Sequence, residues 1–140
     1  MKRSRRAVVL GSLVSLAFVA CKKEPRCRRC GMKLDPTSAW RADLVGDDGT
    51  VTSFDTPRCA LTSWREGQTK AKSIRVQEYY DHVTKDGTEV RFMLGGDVVG
   101  PMGPDFVPVD AARATKFIQD HGAEKALKLE EVDAAFLKAN

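Results

Sequence analysis

The sharpest chemical feature of this 140-residue sequence is Cys27-Arg28-Arg29-Cys30-Gly31-Met32. Two thiols three positions apart can chelate one metal ion, and Met32 adds a thioether close by. Thiolate and thioether are soft donors, which favour Cu(I) among the biologically common metals. Arg28 and Arg29 are expected to lower the thiol pKa values and so favour the metal-binding thiolate. A structural zinc site usually needs a second ligand pair at definite spacing, and no second Cys-x-x-Cys exists here. The pair also admits a simple disulfide, or a thiol–disulfide oxidoreductase motif. The redox motif would follow a strand and open a helix, whereas this one begins inside the charged, proline-containing stretch KKEPRCRR.

Other donors are sparser. Met102 lies in Gly100-Pro101-Met102-Gly103-Pro104 and has no apolar stripe to join. It is either a further soft ligand or a loop side chain folded onto the core. His121 precedes Gly122 at the end of an expected helix, where it is either an imidazole ligand or a residue facing the last carbonyls. Met93 reads as core and His82 as structural. Cys59 sits near the first turn of another expected helix and reads as a small buried hydrophobe, with activation by the helix N-terminus as the minor alternative. No nucleophile–base arrangement, phosphate loop or metal-hydrolase histidine pair stands out. The residues favour a soft-metal binding module over an enzyme.

The first twenty residues are an address. Lys2, Arg3, Arg5 and Arg6 precede the apolar stretch from Ala7 to Ala20, followed by Cys21, Lys22 and Lys23. This is signal-peptide anatomy, and the apolar run is short for a membrane span. Phe18-Val19-Ala20-Cys21 resembles a bacterial lipobox, so Cys21 is the expected lipidated first residue of an exported protein in the cell envelope. Ser4-Arg5-Arg6-Ala7-Val8-Val9 also resembles a twin-arginine export signal. Those four basic residues account for the whole formal net charge of +4. The rest of the chain is formally neutral, which removes the electrostatic case for nucleic-acid binding. With Cys21 set aside, Cys27, Cys30 and Cys59 remain, an odd number that a pure disulfide framework would leave unpaired.

The positioning elements follow from pattern. Residues 21–36 read as a lipid-anchored tether carrying the Cys-x-x-Cys motif, and 37–140 as one α+β domain. Ala39–Val45 and Thr50–Phe54 read as a hairpin around Gly46-Asp47-Asp48-Gly49. Thr56-Pro57 reads as a helix start, with Ala60, Leu61 and Trp64 as its stripe and Gly67 as its stop. Residues 73–83 read as a strand, Lys85-Asp86-Gly87 as a turn and Thr88–Leu94 as the next strand. The Gly- and Pro-rich residues 95–109 read as a loop. Asp110 caps a second helix with Ala111, Ala114, Phe117 and Ile118 on one side and Gly122 as its stop. Ala126–Leu129 reads as a short strand and Glu131–Ala139 as a closing helix. Each half is too small to hold a core alone, so both should share one. The class is α+β with mainly antiparallel sheet.

These motifs together resemble the NosL family, the copper-binding lipoproteins associated with nitrous oxide reductase maturation. The resemblance rests on Cys21, on Cys27-x-x-Cys30-Gly31-Met32, on the run from Phe92 to Gly103 that contains Gly100-Pro101-Met102-Gly103, on Val107-Pro108 and on His121-Gly122. It implies two ββαβ units sharing one core, related to the organomercurial lyase fold. It implies Cu(I) binding and delivery in the periplasm, with Cys27 and Cys30 supplying thiolates and Met32, Met102 and His121 as the remaining ligand candidates. The implied partners are nitrous oxide reductase or its membrane assembly and transport machinery. The sequence departs from the family where Ala123 follows Gly122 in place of a second glycine, and in Cys59, which has no assigned place. A competing lyase-like reading would need Cys59 near a second thiol and a carboxylate.

Overall fold

The computed structural model describes residues 23–140. The signal peptide expected over 1–20 and the lipidated Cys21 lie outside the described residues. Among those described, no helix is long and apolar enough to cross a membrane.

The first unit begins with strands β1 (Ala42–Val45) and β2 (Val51–Phe54), paired antiparallel. Their turn is held by the Gly46 N–H donating to the Thr50 carbonyl at 2.8 Å and the Thr50 N–H donating to the Asp48 carboxylate at 2.9 Å. Helix α1 (Pro57–Arg65) follows. Its start is the expected one: the Thr56 hydroxyl accepts the Cys59 N–H at 3.3 Å, and Pro57 occupies the first turn, where no amide donor is needed. Strand β3 (Ser73–Gln77) returns beside β1, with Ile74 and Val76 buried and Arg75 exposed at the two-residue period of a half-buried strand. A short β4 (Thr84–Asp86) completes a sheet of order β2-β1-β3-β4.

The second unit repeats the order: β5 (Val90–Leu94), β6 (Val107–Asp110), helix α2 (Ala114–His121) and β7 (Lys125–Leu127), in an antiparallel sheet β6-β5-β7. Helix α3 (Ala134–Ala139) closes the chain and packs on α1. The fold is thus α+β, two ββαβ units with antiparallel sheets. The larger core draws on both units, joining Leu44, Phe54, Leu61 and Ile74 to Phe92 and Phe106. Adjacent strand residues face opposite ways, so Phe92 enters that core while Met93 joins Val107, Val109 and Phe117 of α2 in a smaller one. Glu78 ties the units together. Fully buried, its carboxylate accepts the N–H groups of Tyr80, Asp81 and Asp110 at 2.8–3.1 Å.

Several expectations need correction. The strand read over 73–83 ends at Gln77, because Glu78 turns the chain through those amide bonds and His82 adopts a left-handed φ of 52°. The loop read over 95–109 ends at Val107, where β6 begins despite Pro108. That strand lies at a sheet edge, where proline is tolerated, and the Pro108 carbonyl still accepts the Tyr79 N–H at 2.9 Å. Thr88 and Glu89 belong to the turn before β5, and Lys85-Asp86 to β4. Asp110 caps a 3-10 turn, Ala111–Arg113, that leads into α2, and Ile118 is 40% exposed while Phe117 is the buried residue of that helix. The closing helix is broken at Val132, which is buried, and restarts with Asp133 as its cap. The segment read as a tether is, from Pro25 onward, a closed loop packed against the larger core.

Candidate metal centre

The loop that carries the first two thiols is built from its own backbone. The Cys27 N–H donates to the Met32 carbonyl at 2.8 Å, the Gly31 N–H to the Cys27 carbonyl and the Leu34 N–H to the Pro25 carbonyl, each at 2.9 Å. Gly31 makes the reversal with φ +77°, a conformation that residues with a Cβ rarely adopt. The loop is fastened to the end of α1 by Arg29, which donates to Glu66 at 2.8 Å and to Gln68 at 3.3 Å.

The start of α1 supplies the rest. Phe54 ends β2 in the core, Asp55 follows, Thr56 caps the helix, and Cys59 comes one turn later. One donor atom from each of Cys27, Cys30, Asp55 and Cys59 lies within 4.8 Å of every other. Cys27, Cys59 and Asp55 are 2%, 5% and 8% exposed, and all three cysteines are free thiols. Cys30 and Cys59 open onto a cleft whose walls include Arg28, Arg58, Lys138 and Met102.

Electrostatics run against the sequence expectation. Arg28 and Arg29 were expected to depress the thiols, but burial pushes Cys30 up to about 11, and Asp55 and Cys27 add to the rise. Arg29 is engaged by Glu66 instead. Cys59 is also raised, first by burial and then by the Asp55 charge, despite its place at a helix N-terminus. Cys30 and Cys59 therefore carry their protons at neutral pH, and a metal ion must displace them.

The structure thus brings Cys27 and Cys30 together and adds two residues. Cys59, read as core with only a minor case for chemistry, is both buried and part of the cluster. Asp55 was missed altogether. Its signal was the four-residue spacing from Asp55 to Cys59 across a capped helix start, which presents both near the first turn. Met32 shares the loop but its side chain is exposed, and Met102 is 56% exposed at the cleft rather than folded onto the core. His121 lies elsewhere. Its Nδ1 is 2.9 Å from Asp97, and its ring packs against Tyr79 and Phe117 beside the smaller core.

Residues 18–137 match the NosL family model. The chain belongs to the NosL family. Its fold is similar to the crystal structure of the copper chaperone NosL from Shewanella denitrificans, with a TM-score of 0.66 at 18% sequence identity over 79% of this chain and 91% of that one. At that identity the likeness concerns the fold. The comparison with curated proteins returned no match. Within the NosL fold seen here, the thiol cluster forms where the N-terminal loop meets the first strand-to-helix junction, and among the described residues the second junction carries no counterpart.

Proposed function

We propose that this NosL-family chain is a Cu(I) chaperone of the cell envelope. It is anchored through Cys21, faces the periplasm and delivers copper to nitrous oxide reductase or to its membrane assembly machinery. Copper is its cargo, and the chain catalyses no reaction. The observation that carries this reading is the convergence of Cys27, Cys30 and Cys59 beneath a cleft walled in part by Met102. Three soft donors suit Cu(I), and a thioether at the mouth gives the ion a weaker ligand on its way in or out. Capture releases thiol protons, and a docked acceptor displaces the exposed thioether before taking the ion from the thiolates.

Anaerobic Cu(I) titration of the reduced protein against a competing chelator, with mass spectrometry of the product, tests this. One tightly held copper is expected, and the Cys27→Ser/Cys30→Ser double variant should lose it. Full affinity in that variant refutes the proposal. A thiol–disulfide oxidoreductase would use the same pair, but burial of Cys27 and the raised pKa of Cys30 disfavour an attacking thiolate at neutral pH. An organomercurial lyase-like activity has one specific observation in its favour, the approach of Cys59 to two other thiols and Asp55. Release of inorganic mercury from an aryl mercurial by the reduced protein would establish it, and its absence leaves the copper reading.

A further inference from the structure

Asp55 is the one member of the cluster that Cu(I) does not call for. A carboxylate oxygen is a hard donor, whereas Cu(I) selects thiolate and thioether. The side chain is nevertheless more than nine-tenths buried, and outside its approach to the Cys30 thiol neither Oδ1 nor Oδ2 has a hydrogen-bond partner. Buried carboxylates in proteins are paired, hydrogen-bonded or bound to a metal. The helix start offers no use for Asp55, because Thr56 accepts the Cys59 N–H and Asp105 accepts the Arg58 N–H at 2.9 Å. Its near neighbours with metal-binding capacity are the three thiols.

We infer that Asp55 completes a second coordination mode of this centre, a four-donor site of three thiolates and one carboxylate for a borderline divalent cation of the Zn2+ class. The inference rests on the reading of this cluster as a metal centre. Zn2+ takes four ligands in a tetrahedron, with sulfur at about 2.3 Å and carboxylate oxygen at about 2.0–2.2 Å. Those bonds give sulfur–sulfur edges of about 3.8 Å. The four donor atoms, all within 4.8 Å of one another, need to close by about 1 Å or less. All four ligands sit on two elements that are already fixed, the hydrogen-bonded loop and the capped start of α1. The thiolates and carboxylate together outweigh a dication, and Arg28, Arg58 and Lys138 on the cleft wall offset part of the excess negative charge. Cu(I) uses the thiols, with the Met102 thioether at the mouth as its weaker ligand, and leaves the carboxylate free. The centre therefore has a donor set for each ion, and Asp55 separates them.

The test uses Co2+ as a spectroscopic stand-in for Zn2+, added anaerobically to the reduced full-length protein, followed by displacement with Zn2+. The expected result is one Co2+ per chain with tetrahedral ligand-field absorption and sulfur-to-cobalt charge transfer. Asp55→Asn should weaken Co2+ and Zn2+ by more than about 100-fold, beyond the loss expected when a residue only orients a ligand. The same variant should keep Cu(I) affinity within about threefold, which also reports that it has folded. Asp55→Cys should restore tetrahedral Co2+ with charge-transfer intensity raised in the ratio four to three. The inference is overturned by wild-type protein that gives no tetrahedral Co2+ spectrum, by Asp55→Asn that binds Co2+ unchanged, or by equal losses for Co2+ and Cu(I). Those failures leave Cu(I) binding by the wild type intact, whereas failure of the chaperone reading removes it.

Discussion

The two units enter their helices through similar junctions and use them for different ends. In the second, Asp110 does the capping itself. Its carboxylate accepts the Ala112 N–H at 2.9 Å and pairs with Lys85, a contact that holds it below the ordinary carboxylate range. In the first, Thr56 does the capping, so Asp55 one residue earlier has no structural task and faces three thiols. Moving the cap from the aspartate to its neighbour frees a buried carboxylate for chemistry. The helices differ in the same sense. Six residues of α1 are buried against the shared core, whereas Phe117 alone is buried on α2. The site thus lies on the more firmly held helix, as a preorganised ligand set requires.

The sharpest separation of the two units is between stability and affinity. Phe117 is fully buried in the smaller core against Tyr79 and Tyr80. Phe117→Ala should cost about 3–5 kcal/mol in denaturant unfolding, the range for a buried aromatic truncated to a cavity. The Cu(I) affinity of the folded fraction should not change. A large loss of affinity would show that the second unit shapes the site and would end the contrast.

Single ligand substitutions come next. Cys59→Ser should weaken Cu(I) by about 100-fold, about 2.8 kcal/mol at 1.4 kcal/mol per tenfold. His121→Ala should leave it within about threefold, because the imidazole is engaged by Asp97 and two aromatic rings away from the thiols. Competitive titration of the two variants decides between a three-thiol centre and the cysteine–methionine–histidine set implied by family resemblance.

The cap itself is a finer probe. Thr56→Ala should cost about 1 kcal/mol of stability, as loss of a threonine N-cap does. It should also weaken metal binding, since Thr56 lies between Asp55 and Cys59 and bonds to the Cys59 amide. Asp110→Asn should lower stability with no effect on metal. Equal metal affinities in the two variants would show that the first junction needs no cap to place its ligands.

These contrasts explain what the sequence could reveal. Strand alternation, the Thr56-Pro57 helix start and the Gly122 stop are local signals, and the structure follows them. The Cys27–Cys30 pair is local too, because its spacing alone allows chelation. The approach of Cys59 to that pair depends on the N-terminal loop folding back across α1, a contact between residues about thirty positions apart that no periodicity encodes. Asp55 was hidden because its approach to the thiols depends on the same long-range contact, although the Thr56 cap beside it was legible. Its freedom follows from Thr56 taking the capping role. His121 and Met102 were candidates by residue type, and only tertiary placement sets one beside the second core and the other at the cleft. Pro108 hid a strand, because its tolerance there depends on lying at the edge of a sheet not visible in one dimension.

The alkaline limb of stability gives the smallest effect and the one most specific to the first unit. Folding raises the Cys30 thiol from its ordinary value of 9.0 to about 11, chiefly by burial. The fold therefore favours the protonated thiol. Its contribution is fully present below about pH 9 and is lost as pH rises toward 11. Groups outside the thiol cluster lose stability in the alkaline range as well, because pairing with Asp110 raises Lys85 and burial raises Tyr80. The pH dependence of the wild type alone thus mixes the thiols with these groups. Subtraction separates them. Anaerobic urea unfolding of the reduced, metal-free protein should show a smaller alkaline drop in Cys30→Ser than in wild type, with the difference opening only above about pH 9. Parallel curves would mean that the thiol is no harder to ionise folded than unfolded, and the buried protonated cluster would have to be abandoned.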